Sequence, residues 1–438
     1  MYRLIQGAYK LILLLLSALG LFLSAWIVIP APTFFLLPLG VGAPEVSPWL
    51  MALNAIATLL AYKSRTSWIR RIALGFGVIG LIISILPLSQ LPVTNRQAAT
   101  AMVQVLGADY LAKIPQPVQA QMRPQPFVLA DVFRGIPTRQ VRYTSGIPFA
   151  APDGVPLNLD VYRPPQVGKY PAIIAIYGGA WQRGSPTQNA DFNRYMASRG
   201  YVVWAIAYRH APRYRFPAQI EDVQAALAFI RQHATEYETD LERIALLGRS
   251  AGAHLAMLAA YRPDAPRIRA VVNYYGPVNL TKGYYDLPHP DPIDVRAVLL
   301  AFLGGSPDEL PELYQQASPI SYVTQPQPPS LLVYGGRDHI VQAKFGRTLG
   351  DRLRSVGSRA IFLEIPWAEH AFDAVFNGVS NQLALYYTER FLAWALQSQE
   401  QSPHTKLHSN VVHKEGGEGE EDGEGILPLP STGRGLGG

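Results

Sequence analysis

No cysteine occurs anywhere in the 438 residues. Disulfides, thiolate-bound metals and a cysteine nucleophile are therefore excluded. A cysteine-free chain is at ease in an oxidising compartment but is not confined to one. Charge is also scarce: Asp, Glu, Lys and Arg make up 16% against 49% hydrophobic residues, and the mean hydropathy is +0.07. That balance is too apolar for a purely water-exposed chain and predicts membrane segments. The net charge of +6 comes without a basic stripe, since only Lys63, Arg65, Arg70 and Arg71 cluster. There is no zinc-ligand spacing and no run of aromatics interleaved with Lys and Arg. Neither a metal nor a nucleic-acid partner is expected.

The apolar surplus is concentrated at the start. Leu11 to Ile29 is apolar or small apart from Ser17 and Ser24, long enough to cross a bilayer. Ile72 to Leu88 is a second candidate, with Ala73, Gly75, Gly77 and Gly80 permitting close helix approach. Val46 to Tyr62 is weaker, because it holds Pro48, Asn54 and Thr58; a buried or interfacial helix is its alternative. Arg3 and Lys10 precede the first span, as they would in a signal peptide, but the run lacks a small-x-small exit. The loop over 30–45 has no Lys or Arg, whereas the next holds Lys63, Arg65, Arg70 and Arg71. The positive-inside rule then favours three spans (11–29, 46–62, 72–88), a multi-pass anchor over 1–93, and an extracytoplasmic remainder. Residues 94–137 are Pro- and Gln-rich and read as a linker with one short helix near 97–106. Residues 399–438, acidic and Gly-rich, cannot bury enough apolar surface to fold and are expected to be disordered.

Between these flanks, over 138–398, strand and helix patterns alternate. Short apolar runs at Leu157–Tyr162, Ala172–Tyr177, Tyr201–Tyr208, Ile244–Leu247, Ala270–Tyr275, Ser330–Tyr334 and Ala360–Ile365 suit buried strands. Helix patterns at Asp191–Arg199, Pro217–His233, Ala253–Tyr261, Gln342–Val356 and Asn381–Leu396 separate them. This order predicts an α/β fold, a mostly parallel doubly wound sheet with ligands at the carboxyl ends of its strands. A Pro- and Tyr-rich excursion over 280–319 reads as a cap.

Gly248-Arg249-Ser250-Ala251-Gly252 falls between the run ending at Leu247 and the helix pattern from Ala253. Strand, tight turn and helix place a serine at the apex, where a base can activate it. His370 follows the strand Ala360–Ile365 and Asp338 follows Ser330–Tyr334, so Ser250, Asp338 and His370 stand in the order of a nucleophile–acid–base triad. His254 lies one turn below the serine and reads as a packing or hydrogen-bonding residue. His210 and His289 adjoin irregular segments, and His339 neighbours the proposed acid. Glu364, Glu369 and Asp373 are too near His370 in sequence to back it easily, and Asp286, Asp291 and Asp294 belong to the cap. Gly178 and Gly179 end an early strand, so the N–H groups of Gly179, Ala180 and Ala251 are candidate oxyanion donors, a plain turn being the alternative. Arg249 either meets an acidic group or is solvated.

Tyr177-Gly178-Gly179-Ala180-Trp181, the serine turn with Ala253-His254-Leu255 after it, Asp338 and His370 together resemble the α/β-hydrolase superfamily, specifically its esterase/lipase group of hormone-sensitive-lipase-like and feruloyl-esterase-like carboxylesterases. The resemblance spans roughly 143–396, covers none of the membrane segments, and implies a serine hydrolase of carboxylic esters needing no cofactor. Tyr274, Tyr275, Tyr284 and Tyr285 near the cap suggest a small acyl ester of apolar or aromatic character, and the apolar N-terminal runs make a lipid bilayer the other expected partner. Trp181 and Tyr177 become substrate-contacting candidates. Tyr177 stands where that group usually has histidine, which leaves the hydrogen bonding of the oxyanion loop open. An amidase or peptidase on the same fold, or a catalytically silent membrane-tethered binding module, is the alternative. The sequence carries no signal for oligomeric state.

Overall fold

The computed structural model describes residues 2–397; the acidic tail over 399–438 lies outside the described residues. Among the described residues eight strands form one sheet: β1 Arg142–Ala150, β2 Leu157–Arg163, β3 Tyr170–Ile176, β4 Val202–Ile206, β5 Thr239–Arg249, β6 Ala270–Tyr274, β7 Ser330–Gly335 and β8 Ala360–Ile365. Their order is β1-β2-β4-β3-β5-β6-β7-β8. β2 runs antiparallel to β1 and β4, and every other pair is parallel. Strands β4, β6 and β7 are buried along their whole length, because helices cover both faces, so their sequences are continuous apolar runs. β1 had no counterpart in the sequence reading. It is an edge strand holding Gly146 and Pro148, and its register slips twice against β2, between Thr144 and Ile147 and between Pro148 and Ala150. Such interruptions are tolerated only at an edge or bulge, and they erase the alternation that announces a strand.

The helices, in chain order, are α1 Tyr2–Ala25, α2 Leu37–Glu45, α3 Ser47–Lys63, α4 Trp68–Leu106, α5 Gln116–Gln119, α6 Leu129–Arg134, α7 Ala190–Ala197, α8 Ala218–Gln232, α9 Ala251–Tyr261, α10 Leu280–Tyr285, α11 Val295–Leu303, α12 Pro311–Gln316, α13 Ala343–Ser355 and α14 Val379–Gln397. Each helix expected between strands is present within two residues of its expected ends. Helices α10 to α12 occupy the excursion over 280–319, between β6 and β7.

At the N-terminus α1, α3 and α4 pack together. Their contact face is small or polar: Asn54 Nδ2 donates to Ser24 Oγ at 2.9 Å and to the Leu50 carbonyl at 2.8 Å, and Ser24 Oγ meets Ser84 Oγ at 2.9 Å. Gly20 and Gly80 lie directly against the Asn54 side chain, where a Cβ would collide with it. Asn54, the residue that weakened the middle segment as a membrane span, is thus the polar clasp of the bundle. Among the described residues two helices are long and apolar enough to cross a membrane, Gly7–Ala25 and Trp68–Leu106. With 17 residues, α3 is shorter than the ~20 that a straight crossing takes.

Residues 94–137 are packed rather than a free linker. α4 continues for 39 residues through Pro87 and Pro92, and Ala98, Met102 and Leu106 join the core of the sheet domain. Buried Arg123 donates from Nη2 to Asp131 Oδ2 at 3.1 Å and Gln382 Oε1 at 2.8 Å, and from its backbone N–H to Glu389 Oε2 at 3.1 Å. Its partners Gln382 and Glu389 sit on α14, at the other end of the chain, so local composition could not reveal them. The N-terminal helices and the sheet domain cluster as one compact unit.

Candidate active site

Strand β5 hands over to α9 in a single sharp turn, and Ser250 at its apex takes φ 51°, ψ −122°. This is a costly conformation for a residue with a side chain, held here by its surroundings. The Ser250 N–H donates to the Tyr274 carbonyl at 2.9 Å. Gly252 lies against the carbonyl oxygens of Ile176 and Tyr177, which leave no room for a Cβ. The glycine requirement is therefore one of close approach between α9 and β3.

His370 reaches Ser250 Oγ with Nε2 at 2.9 Å and Asp338 Oδ2 with Nδ1 at 2.8 Å. A carboxylate can only accept, so Nδ1 carries the proton, and Nε2 is free to accept from the serine hydroxyl. Asp338 is held in turn, its Oδ1 accepting the N–H groups of Ile340 at 2.8 Å and Val341 at 2.7 Å. Burial pushes its carboxyl above the ordinary range, while the charge and hydrogen bond of His370 pull it down. The three residues, contributed by the ends of β5, β7 and β8, are thus brought into one chain of hydrogen bonds.

The loop after β3 faces them. Gly179, Ala180 and Trp181 all take positive φ (130°, 55° and 59°), which turns the backbone sharply. Gly179, Ala180 and Ala251 line one cavity with Ser250 and His370. The N–H of Ala251 opens α9 and has no partner within its helix.

Trp181 also lines the cavity, but its ring is stacked on Phe302 of α11 at 4.1 Å and its Nε1–H donates to His254 Nδ1 at 3.2 Å. His254 Nε2 reaches the Ala317 carbonyl at 2.6 Å, so both ring nitrogens are engaged and His254 ties the loop after β3 to the 280–319 excursion. Burial lowers its pKa from 6.5 to about 4, keeping it neutral. The folded state then binds the proton less readily than the unfolded chain. Stability is complete above about pH 6.5 and falls as pH drops from 6.5 towards 4, by up to about 1.4 kcal/mol per pH unit and on the order of 3 kcal/mol in all. Urea unfolding at pH 7 and pH 4.5, wild type against His254→Phe, measures this. Equal pH slopes in the two proteins would remove His254 as the source.

Tyr177 is not among the residues lining this cavity, contrary to the expectation of a substrate contact. Its ring stacks on Tyr208 at 4.5 Å and its hydroxyl meets His210 Nε2 at 3.0 Å, on the far side of the loop. The tyrosine supplies the loop's anchoring where the resemblance led to histidine.

Arg249 is buried and pairs with Asp373, which also accepts the Tyr275 hydroxyl. Its guanidinium lies 4.5 Å from the Phe192 ring centroid. Asp373, considered above as a triad acid, therefore braces the residue before the nucleophile. Glu369 accepts the N–H groups of His339 at 2.7 Å and His370 at 3.0 Å, and its Oε2 meets His339 Nδ1 at 2.7 Å. It ties the Asp338 loop to the His370 loop. Neither role has a motif in the sequence; the one local hint was a cation beside the serine.

The cavity measures about 650 Å³. Its lining includes Leu280, Val298 and Leu299 of the 280–319 excursion, Ile340 and Phe345, Phe34 and Leu37 from the N-terminal segment, and the charged residues Arg183, Asp191 and Asp286.

A sheet in this strand order with a serine at the β5–α9 turn is the α/β-hydrolase arrangement. Residues 159–353 match the family model described as BD-FAE. Over 252 residues the chain is 32% identical to the probable carboxylic ester hydrolase LipM of Mycobacterium tuberculosis, covering 54% of this chain and 58% of that protein. It is 31% identical over 281 residues to esterase LipQ of the same organism, covering 58% and 64%. Among solved structures it is similar to the esterase Est2 of Thermogutta terrifontis, with 25% identity, 54% and 84% coverage and a TM-score of 0.43. The chain spans about three fifths of the length of these curated relatives.

Proposed function

We propose that the protein is a bilayer-anchored serine hydrolase of carboxylic esters. The observation that carries the reading is the hydrogen-bonded chain Ser250–His370–Asp338, 2.9 Å and 2.8 Å, at the wall of an apolar cavity. Ser250 Oγ attacks the acyl carbon as His370 Nε2 takes its proton, and Asp338 stabilises the resulting imidazolium. The N–H groups of Gly179, Ala180 and Ala251 receive the tetrahedral oxyanion. His370 returns the proton to the departing alcohol, leaving an acyl-Ser250 ester. Water, deprotonated by the same imidazole, releases the acid and restores the serine. The similarity of the sheet domain to proteins named as esterases favours esters over amides.

For the anchor, support comes from the two long apolar helices, the third helix clasped between them at Asn54, and the placement of Lys63, Arg65, Arg70 and Arg71. Three crossings put the sheet domain on the outer side. One experiment addresses both parts. A membrane-impermeant fluorophosphonate is added to sealed right-side-out vesicles holding the full chain, and the modified peptide is identified. Labelling of Ser250 from outside is expected. Labelling only after permeabilisation would reverse the topology, and no labelling of folded protein in either state would end the hydrolase reading.

A further inference from the structure

The segment between α1 and α3 has no part in the triad, yet it reaches the cavity. Phe34 and Leu37 line it together with Ser250 and His370. The segment is pinned at both ends to the sheet domain: Arg337 donates to the Val28 carbonyl, and the Ser380 N–H donates to Glu45 at 2.8 Å. In between, the Arg183 guanidinium lies 4.6 Å from the Phe34 ring centroid. Phe34 is nevertheless 50% exposed and its neighbour Phe35 88% exposed. A half-exposed aromatic that also lines a cavity stands at its mouth.

Arg183 flanks Phe34 on the sheet-domain side of that mouth, whereas the N-terminal side leads into apolar chain. Along α1 the exposed side chains include Leu11, Ile12, Leu15, Leu19 and Phe22, and past the end of the helix Ile29, Phe34 and Phe35 follow. Exposed apolar residues in such number need a covering medium. The chain crosses from the helix that a bilayer would cover to the cavity mouth without an intervening Lys, Arg, Asp or Glu between Leu11 and Pro44. Water-soluble substrates gain nothing from an apolar rim open to lipid. An amphiphile already in the bilayer can slide its chain along that rim without passing through water, so its methylenes stay in an apolar medium throughout.

We infer that the segment Phe34–Leu37 is the acyl-chain gate of this enzyme and that its substrate is a bilayer-resident, long-chain ester drawn in from the lipid side. The inference rests on the ester-hydrolase and anchor reading above and adds the substrate class and the entry route. The ester carbonyl stops at Ser250, its chain lies against Phe34 and Leu37, and the alcohol portion faces the cap.

The test uses the wild-type full chain in phosphatidylcholine vesicles and a fluorophosphonate bearing a palmityl chain with a diazirine near its end. Ser250 Oγ displaces fluoride from phosphorus, and irradiation then cross-links the chain to whatever it touches. Cross-links to a peptide containing Phe34–Leu37 are expected. Modified Ser250 with cross-links only to the cap helices α10 and α11 would overturn the gate while leaving the hydrolase reading standing. Unmodified Ser250 would overturn that reading and this one with it. As a second measurement, Phe34→Ser with Leu37→Ser is expected to lower the palmitate-to-acetate ratio of kcat/KM, for the matching aryl esters, at least tenfold. An unchanged ratio would count against the gate. Wild-type turnover of the palmitate ester is also expected to follow its mole fraction in the bilayer. A rate that tracks bulk concentration at constant mole fraction would refute entry from lipid.

Discussion

Replacing Ser250 with Ala is expected to lower kcat on a short aryl ester about 10⁶-fold, on the order of 8 kcal/mol of barrier. On the proposed mechanism the nucleophile, its base and the acid behind the base act as a unit, joined as Ser250 Oγ, His370 and Asp338 are in one chain of hydrogen bonds. Adding His370→Ala to Ser250→Ala should therefore cost almost nothing more. Asp338→Asn is a separate case. Its amide can donate to His370 Nδ1, which would move the imidazole proton to Nε2, the atom that has to accept from Ser250. A loss of about 10⁴-fold is expected. Single-turnover kinetics on purified protein measure all three variants. Additive losses in the Ser250/His370 pair would mean the three residues do not work together, whatever their geometry.

The second large effect is on stability. Asp373→Asn is expected to destabilise the folded chain by about 3–5 kcal/mol. Both partners of the Arg249–Asp373 pair are almost fully buried, with side-chain exposures of 5% and 2%. Taking away the carboxylate strands a guanidinium between Phe192 and Tyr274 and leaves the Tyr275 hydroxyl with a poorer acceptor. Desolvation alone would lower the pKa of Arg249, but Asp373 more than offsets it and keeps the guanidinium charged. Arg249→Met together with Asp373→Leu removes both charges and should recover much of the loss. Chemical unfolding in detergent provides the double-mutant cycle. A single-variant loss below ~1 kcal/mol, or no recovery in the pair, would show that the ion pair does not brace the turn.

The sheet was legible where burial is complete. Runs such as Ala172–Ile176 and Leu331–Tyr334 have nothing polar to obscure them, and their carboxyl ends locate the loop of Gly179 and Ala180 and the loop of Asp338. β1 was hidden because an edge strand can keep Gly146 and Pro148 without losing its pairing. Tyr177 was misjudged for another reason. Its place before Gly178 and Gly179 suggested a substrate contact, but side chains alternate along an extended backbone, and this one faces Tyr208 and His210. Asp373 and Glu369 were weighed only as acids, since a brace is defined by partners that local sequence does not name. Phe34 and Leu37 left no signal at all: in a stretch read only as a loop without Lys or Arg, two apolar residues carry no information about what they face.

α4 belongs to two assemblies at once, giving its first half to the N-terminal bundle and Ala98, Met102 and Leu106 to the sheet domain. Tyr387 fastens it midway, donating to the Asn95 carbonyl at 2.8 Å. An unbroken helix transmits rotation, so the compass bearing of the catalytic mouth is written in helical register. Each residue inserted between Leu88 and Asn95 would turn the sheet domain by about 100° and raise it by about 1.5 Å. About two insertions would point the mouth the opposite way, tearing Val28 from Arg337 and Glu45 from Ser380. About seven would bring the bearing back to within ~20°, but set the serine about 10 Å too high to meet the segment that now closes its cavity.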